Sequence, residues 1–129
     1  MSAAKPPSIQ RGQVWNVEFD PQVVSEIRKI RPAVVMSLPT VGRPSLHIVV
    51  PITTGRPVAT SFWMLPIAAT SRNGLDHDSF ADGSQVKSVS AERIRKYRGT
   101  LSQQELDELA AIIAFCVGYR SPKPPPGSS

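Results

Sequence analysis

Thirteen prolines and eight glycines spread over 129 residues leave little room for long regular elements. Proline removes a backbone donor and fixes φ, and glycine opens conformations that other residues avoid, so both punctuate the chain. The pieces between them are mostly short runs with β-branched residues, the rhythm of a small β-rich domain. The length suits one domain, and 40% apolar residues suffice to fill its core. Residues 1–8 are small, polar and proline-bearing, and residues 120–129 include SPKPPPGSS. Both read as disordered tails around a domain over residues 9–119, too poor in apolar groups to offset the entropy of ordering.

Val14 to Asp20 alternates: Trp15, Val17 and Phe19 face one way, and Asn16, Glu18 and Asp20 the other. This predicts a half-buried strand that Pro21 ends. Gln22 to Ile30 shows little periodicity and reads as an exposed loop. Arg31 to Leu38 is a second strand. Leu46 to Thr53, LHIVVPIT, is apolar on both faces and reads as a central third, with an edge or bulge expected at Pro51. Ser61 to Ile67 and Ser84 to Val89 give a fourth and a fifth, joined by a polar link, Ala68 to Gly83, that contains Asn73-Gly74. Ala91 to Lys96 reads as a short helix or turn.

The final helix is well marked. Ser102 and Glu105 form a capping box, and Leu101 and Leu106 stand at the staple positions. Leu106, Leu109, Ile113 and Val117 make an apolar stripe, and Gly118 stands at the expected end. Glu105, Asp107 and Glu108 favour the positive end of its dipole. The fold class is therefore mainly β with a C-terminal α-helix, a small barrel or strongly bent sheet with the helix packed against it.

Charge and composition narrow the function. The net charge is +5, with bases in excess between Arg11 and Arg98 and three acids but no base from Thr100 to Gly118. A basic body can neutralise a phosphate backbone, although a solvated surface explains the same balance. A single cysteine rules out a disulfide framework and a cysteine metal site. Cys116 lies near the helix stripe and reads as a buried structural thiol. No apolar run reaches the ~20 residues of a membrane span, and Met1 to Gln10 does not read as a secretory signal, so a cytoplasmic protein is expected. His47 and His77 have no partner at metal-ligand spacing, and Asp76-His77-Asp78 reads as loop polarity, so neither metal nor cofactor is expected. No phosphate loop, nucleophile elbow or Cys–His pair is present in the sequence.

What remains is Arg31, before Pro32 at the mouth of a strand, and Thr53-Thr54, closing another just before Gly55. A guanidinium offers parallel donors to phosphate oxygens, and a hydroxyl adds a third that fixes orientation. Such pairs are common in proteins and do not by themselves specify catalysis. Trp15 and Phe19 read as core. Phe62 and Trp63 would point opposite ways in a strand, leaving one to stack on a base or join an interface. Arg93, Arg95, Lys96 and Arg98 fit either phosphate contacts or a solvated turn.

The order of motifs says more than any one of them. Arg11-Gly12-Gln13-Val14-Trp15, Phe19-Asp20-Pro21, Ser25-Glu26, Arg31-Pro32-Ala33-Val34-Val35 and Val49-Val50-Pro51-Ile52-Thr53 follow one another. Gln85-Val86-Lys87 and the closing LSQQELDELAAIIAFCVGY come after. From about Gln10 to Tyr119 the chain resembles the MazF/PemK family of toxin endoribonucleases, with Gln85-Val86-Lys87 in place of that family's Gln-x-Arg. The resemblance implies an SH3-like, CcdB/MazF-type barrel, a homodimer, and metal-independent cleavage of single-stranded RNA with no cofactor. It also implies a cognate antitoxin whose acidic, disordered tail covers the RNA groove. Carried over by position, the essential arginine falls on Arg31, the threonine on Thr53, the loop glutamate and possible base on Glu26, and the downstream basic residue on Lys87. Thr54, Arg28 and Lys29 join them as expected RNA contacts; Arg28 and Lys29 stand where the family often has small residues. One branch uses an Arg and an Asp as acid and base, where this chain has Asp82 and Ser84, so the Arg31/Thr53 arrangement is favoured. Two alternatives stay open: a non-catalytic CcdB-like module that blocks a protein target, and an RNA-binding regulator that lacks cleavage.

Overall fold

A computed structural model describes residues 7–19, 29–39, 41, 45–55 and 61–119. The expected tails, outside residues 7 and 8, and the Gln22–Ile30 loop as far as Arg28 lie outside these residues. The strands are β1 (Gln13–Phe19), β2 (Lys29–Val35), β3 (Leu46–Thr53), β4 (Met64–Ile67), β5 (Ser79–Asp82), β6 (Lys87–Ser90) and β7 (Ile94–Thr100), and the helix is α1 (Gln103–Cys116). All pairings are antiparallel, in the order β4-β5-β3-β2-β1-β7, with β6 beside the first half of β3. A β-sheet core with a C-terminal helix is what the sequence implied.

Alternation gives the sheet two apolar faces. On one, Val14, Val34, Val50, Ile52, Leu65, Ile67 and Ala81 pack with Leu101, Leu106 and Leu109. On the other, Trp15, Val17, Phe19, Ala33, Val35 and Val49 meet Val89 of β6 and Ile94 of β7. β3 and β2 stand between β6 and β1 in the sheet, yet Val89 joins the cluster of Phe19, so the sheet curls over this second face. Strand β1 is consequently buried on both sides, where a solvent face was expected. Glu18 is 9% exposed, its carboxylate taking Arg95 at 2.8 Å, and Asn16 Oδ1 accepts from Arg98 Nη1 at 2.9 Å.

Two strands escaped the sequence reading. β5 lies inside the link read as polar: Ser79 and Asp82 are buried, but their polar atoms have local partners, His77 O for Ser79 and the following turn for Asp82. β7 replaces the second half of the turn expected over Ala91–Lys96, of which only Ala91–Arg93 is helical, as a 3-10 turn. It pairs with β1 and ends the sheet order, where charged side chains suit an edge strand. Other bounds shift: β2 starts two residues before Arg31, β4 begins only at Met64, and β6 runs to Ser90. Pro51 stands at a local edge, as expected, unpartnered on one side among the described residues. It faces Ala33 of β2 on one side, and on the other stands between the residues that pair with β6 and those that pair with β5.

Helix α1 begins as predicted: Glu105 N donates to Ser102 Oγ at 3.1 Å and Ser102 N donates to Glu105 Oε1 at 3.0 Å. It ends at Gly118, φ 77°, where Gly118 N and Tyr119 N donate to the carbonyls of Phe115 and Ala114. The stripe does not stay buried to its end. Leu106 and Leu109 are in the core and Ile113 packs against it, but Val117 is 76% exposed. Cys116 is exposed too, contrary to the expected buried thiol, because the last helical turn extends past the packed face.

Asn73-Gly74 ties the long link to β7. Asn73 Oδ1 accepts from Thr70 N and Leu75 N, and Gly74 O accepts from Arg98. Gly74 has φ +67°, and an added Cβ would overlap the Arg98 carbonyl. Gly74→Ala should therefore destabilise the domain by about 2 kcal/mol or more, read as a lowered urea midpoint; an unchanged midpoint would contradict this docking of the link.

Candidate active site

Proline at 32 favours extended backbone at Arg31, and the ladder of β2 on β1 places Arg31 opposite Val17 and Lys29 opposite Phe19. On its other edge β2 pairs Val35 with Val49 and Ala33 with Pro51. The paired ladder stops at Ala33 and Pro51, two residues short of Arg31 on β2 and of Thr53 on β3; both strands continue, and alternation puts the two residues on the face of Ala33 and Pro51 at one end of the sheet. Two residues far apart in sequence are thus brought to the same end of one face.

The Arg31 side chain is exposed and forms no ion pair or hydrogen bond with another described residue. Thr53 is half-buried, and its Oγ1 accepts from Gly55 N at 3.2 Å. That bond uses a lone pair and leaves the hydroxyl proton to donate. On β6, Lys87 faces Val49, so it shares the face of Ala33, Arg31 and Thr53. Its Nζ lies 5.5 Å from the centre of the Phe19 ring, brought there by the curl of the sheet. Beside it opens a cleft of about 310 Å³ lined by Glu18, Phe19, Lys87, Ser88, Val89, Ser90 and Arg93. Lys29, Arg31, Thr53 and Lys87 therefore fall on one face. Thr54 is exposed one residue beyond β3, outside the ladder that aligns the others. Glu26 and Arg28 lie outside the described residues.

Arg93, Arg95 and Arg98 do other work. Glu18 holds Arg95 at 2.8 Å and Arg93 at 3.8 Å, and Arg98 pairs with Asp76 at 3.2 Å. These bonds pin β7 and its preceding turn to β1 and to the long link, a role the sequence reading did not separate from phosphate contact. Asp82, 8% exposed, accepts from Ser84 N and Oγ and from Gln85 Nε2 at 3.0, 2.6 and 2.8 Å. Its carboxylate shapes the turn that leads into Lys87. Among the described residues, then, the carboxylates of Glu18, Asp76 and Asp82 are engaged elsewhere, and Lys29, Arg31 and Lys87 have no ion-pair partner.

No group of three or more His, Cys, Asp or Glu among the described residues is placed to hold a metal. In the Asp76-His77-Asp78 loop, Asp76 is taken by Arg98 and Asp78 Oδ1 accepts from Ala69 N at 2.8 Å. His47 is half-buried opposite Val89. No helix among the described residues is long and apolar enough to cross a membrane. Phe62 and Trp63 precede β4 in a turn, so they do not point apart as they would in a strand. Their rings meet edge to face at 5.2 Å, and Phe62 meets Phe115 of α1 at 5.0 Å. Phe62, Phe115, Val117 and Tyr119 are all exposed near the helix's C-terminal end. One further aromatic was missed because it lies in the link read as polar: Phe80, directly opposite Thr53. The alternation of Ser79 and Ala81 with Phe80 and Asp82 was the signal, over a run too short to stand out.

Among the described residues, an arginine without an acidic partner, two lysines and a threonine hydroxyl define the class: a small antiparallel β domain with one cationic face. Its relatives give that class a family. The family model of the PemK-like, MazF-like toxins of type II toxin-antitoxin systems matches residues 10–117, and the chain belongs to that family. Endoribonuclease MazF9 of Mycobacterium tuberculosis (strain ATCC 25618 / H37Rv) is 33% identical over 107 residues, covering 78% of this chain and 89% of that protein. MazF from Deinococcus radiodurans superposes with a TM-score of 0.68 at 18% identity, over 88% of this chain and 100% of its own. An endoribonuclease from a mycobacterial species, solved in complex with its cognate antitoxin, gives 0.67 at 15% identity, over 89% and 100%. The last two likenesses concern the fold.

Proposed function

We propose that this chain is the toxin of a toxin-antitoxin pair and acts as a metal-independent, sequence-preferring endoribonuclease on single-stranded RNA. The observation that carries this reading is that Arg31 and Thr53 come to the same end of one face, where Lys29 and Lys87 lack acidic partners among the described residues. The ribose 2′-hydroxyl attacks the adjacent phosphorus and the 5′-oxygen leaves, giving a 2′,3′-cyclic phosphate and a 5′-hydroxyl. The 2′-hydroxyl loses one proton and the leaving oxygen gains one. The added negative charge on the phosphate falls to Arg31, whose permanent charge is aligned before the reaction begins. Thr53 donates to the same phosphate and fixes its orientation. Glu26 is the candidate base, and Arg28, Lys29, Thr54 and Lys87 hold the flanking strand.

Around that site the reading places residues 9–119 as one SH3-like barrel, which the curl joining Val89 to the Phe19 cluster supports. It places a second copy of the chain in a homodimer, for which the exposed Phe62, Phe115, Val117 and Tyr119 surface is available. An antitoxin with an acidic, disordered tail is the natural competitor for the same cationic face, in the cytoplasm. The test is to incubate the protein with several long RNAs in EDTA, beside Arg31→Ala, and to map the new 5′ ends. Cuts at a recurring short motif, bearing 5′-hydroxyls and absent with the variant, are expected. RNA left whole throughout would sink the enzymatic reading and favour a non-catalytic module.

A further inference from the structure

We propose that Phe80 is a stacking platform for a nucleobase next to the phosphate held by Arg31 and Thr53, an inference that rests on the endoribonuclease reading above. Phe80 stands directly opposite Thr53 of β3 and, across its other edge, opposite Pro66 of β4. Its neighbours Ile52 and Ala81 form the next pair and face the helix, at 3% and 0% exposure. Alternation therefore turns Phe80 to the face of Thr53, away from α1. Every other residue of β5 is buried, although those residues are small or polar, while the one large apolar ring stays partly exposed. Phe80 belongs to neither of the two core clusters.

A phenylalanine used for packing gains by burying its whole ring. One kept half-open beside a hydroxyl and a set of cations suits a different partner. Single-stranded RNA is held by that combination: positive groups track the backbone, and an aromatic face takes an unpaired base. The ring's place next to Thr53 sets which base it meets, one adjoining the scissile phosphate. Stacking tolerates different bases, so the contact serves affinity and alignment more than sequence choice.

The test uses an oligoribonucleotide carrying the cleavage motif mapped for the wild-type protein, with a 2′-deoxyribose at the attacking position and 2-aminopurine on either side of it. Binding to the wild-type protein should quench the fluorescence at one of the two positions. Phe80→Leu, which keeps an apolar side chain, should lose that quenching. On the cleavable RNA its kcat/KM should fall roughly 5- to 150-fold, mainly through KM, as expected for one lost stack. Phe80→Trp should restore both. Unquenched fluorescence at both positions with the wild-type protein, which needs no variant to fold, overturns the proposal. So does a Phe80→Leu protein that cleaves within twofold of wild type. If those results come while Arg31→Ala is inactive, the endoribonuclease reading stands and only the platform falls. If the wild-type protein cleaves no RNA, both fall.

Discussion

Arg31→Ala is expected to lower kcat/KM for RNA cleavage by about 10²- to 10³-fold or more, with the fold unchanged. The two halves of that expectation come from separate observations. Removing a preorganised donor from a developing oxyanion costs transition-state binding that nothing else on the face replaces. Thr53 carries no charge, and Lys29 and Lys87 lie on the same face at other positions along the sheet. Yet the Arg31 side chain is exposed and makes no bond to another described residue, so its truncation should change stability by no more than about 0.5 kcal/mol. Arg31→Lys should recover only part of the activity, since an ammonium keeps the charge but not the planar pair of donors. Single-turnover cleavage beside a urea melt measures both halves. An Arg31→Ala protein keeping a tenth of wild-type activity would move the chemistry to another residue.

Leu109→Ala should have the largest effect on stability, about 2–5 kcal/mol. Leu109 is 0% exposed and sits where α1 meets Val14, Val34 and Ile67 on the helix-covered face. The cavity left there has a regular sheet on one side and a helix on the other, neither free to collapse. Against a typical domain stability of roughly 5–15 kcal/mol, such a loss brings unfolding within reach of mild denaturant. Val117→Ala, one of the same sequence stripe but 76% exposed, should leave the melt nearly unchanged. Equal urea midpoints for the two variants would mean that the helix does not dock as described. Because Leu109 is on the opposite face from Arg31, residual folded Leu109→Ala protein should still cleave RNA.

Much of this architecture could be read from the chain because its signals are local. The capping box of Ser102 and Glu105, the staple leucines and the terminal glycine at 118 act within a few residues of one another, and α1 starts and stops as they direct. LHIVVPIT is apolar on both faces, and that pattern marked a central strand with the bounds β3 has. The strands that went unread are those whose pattern depends on distant partners. IRKYRGT looks like a solvated turn until Glu18, Asn16 and Asp76 supply counterparts for its arginines. SFAD looks like loop until its polar atoms find their local acceptors and donors.

The site divides along the same line. The identities of Arg31 and Thr53, and the order of motifs around them, stand in the sequence, as does the family to which the chain belongs. That the two come to the same end of one face is a matter of how β1, β2 and β3 pair and not of any single segment. Which bases lack an acidic partner among the described residues was likewise invisible, since Arg93, Arg95 and Arg98 look no different in sequence from Arg31. Phe80 became a candidate only when β5 paired with β3, and Val117 and Cys116 proved exposed only because the helix outruns the sheet. Local periodicity and capping chemistry determined the elements. Long-range pairing decided which side chains face one another, because a side chain's neighbours across a sheet lie tens of residues away in sequence.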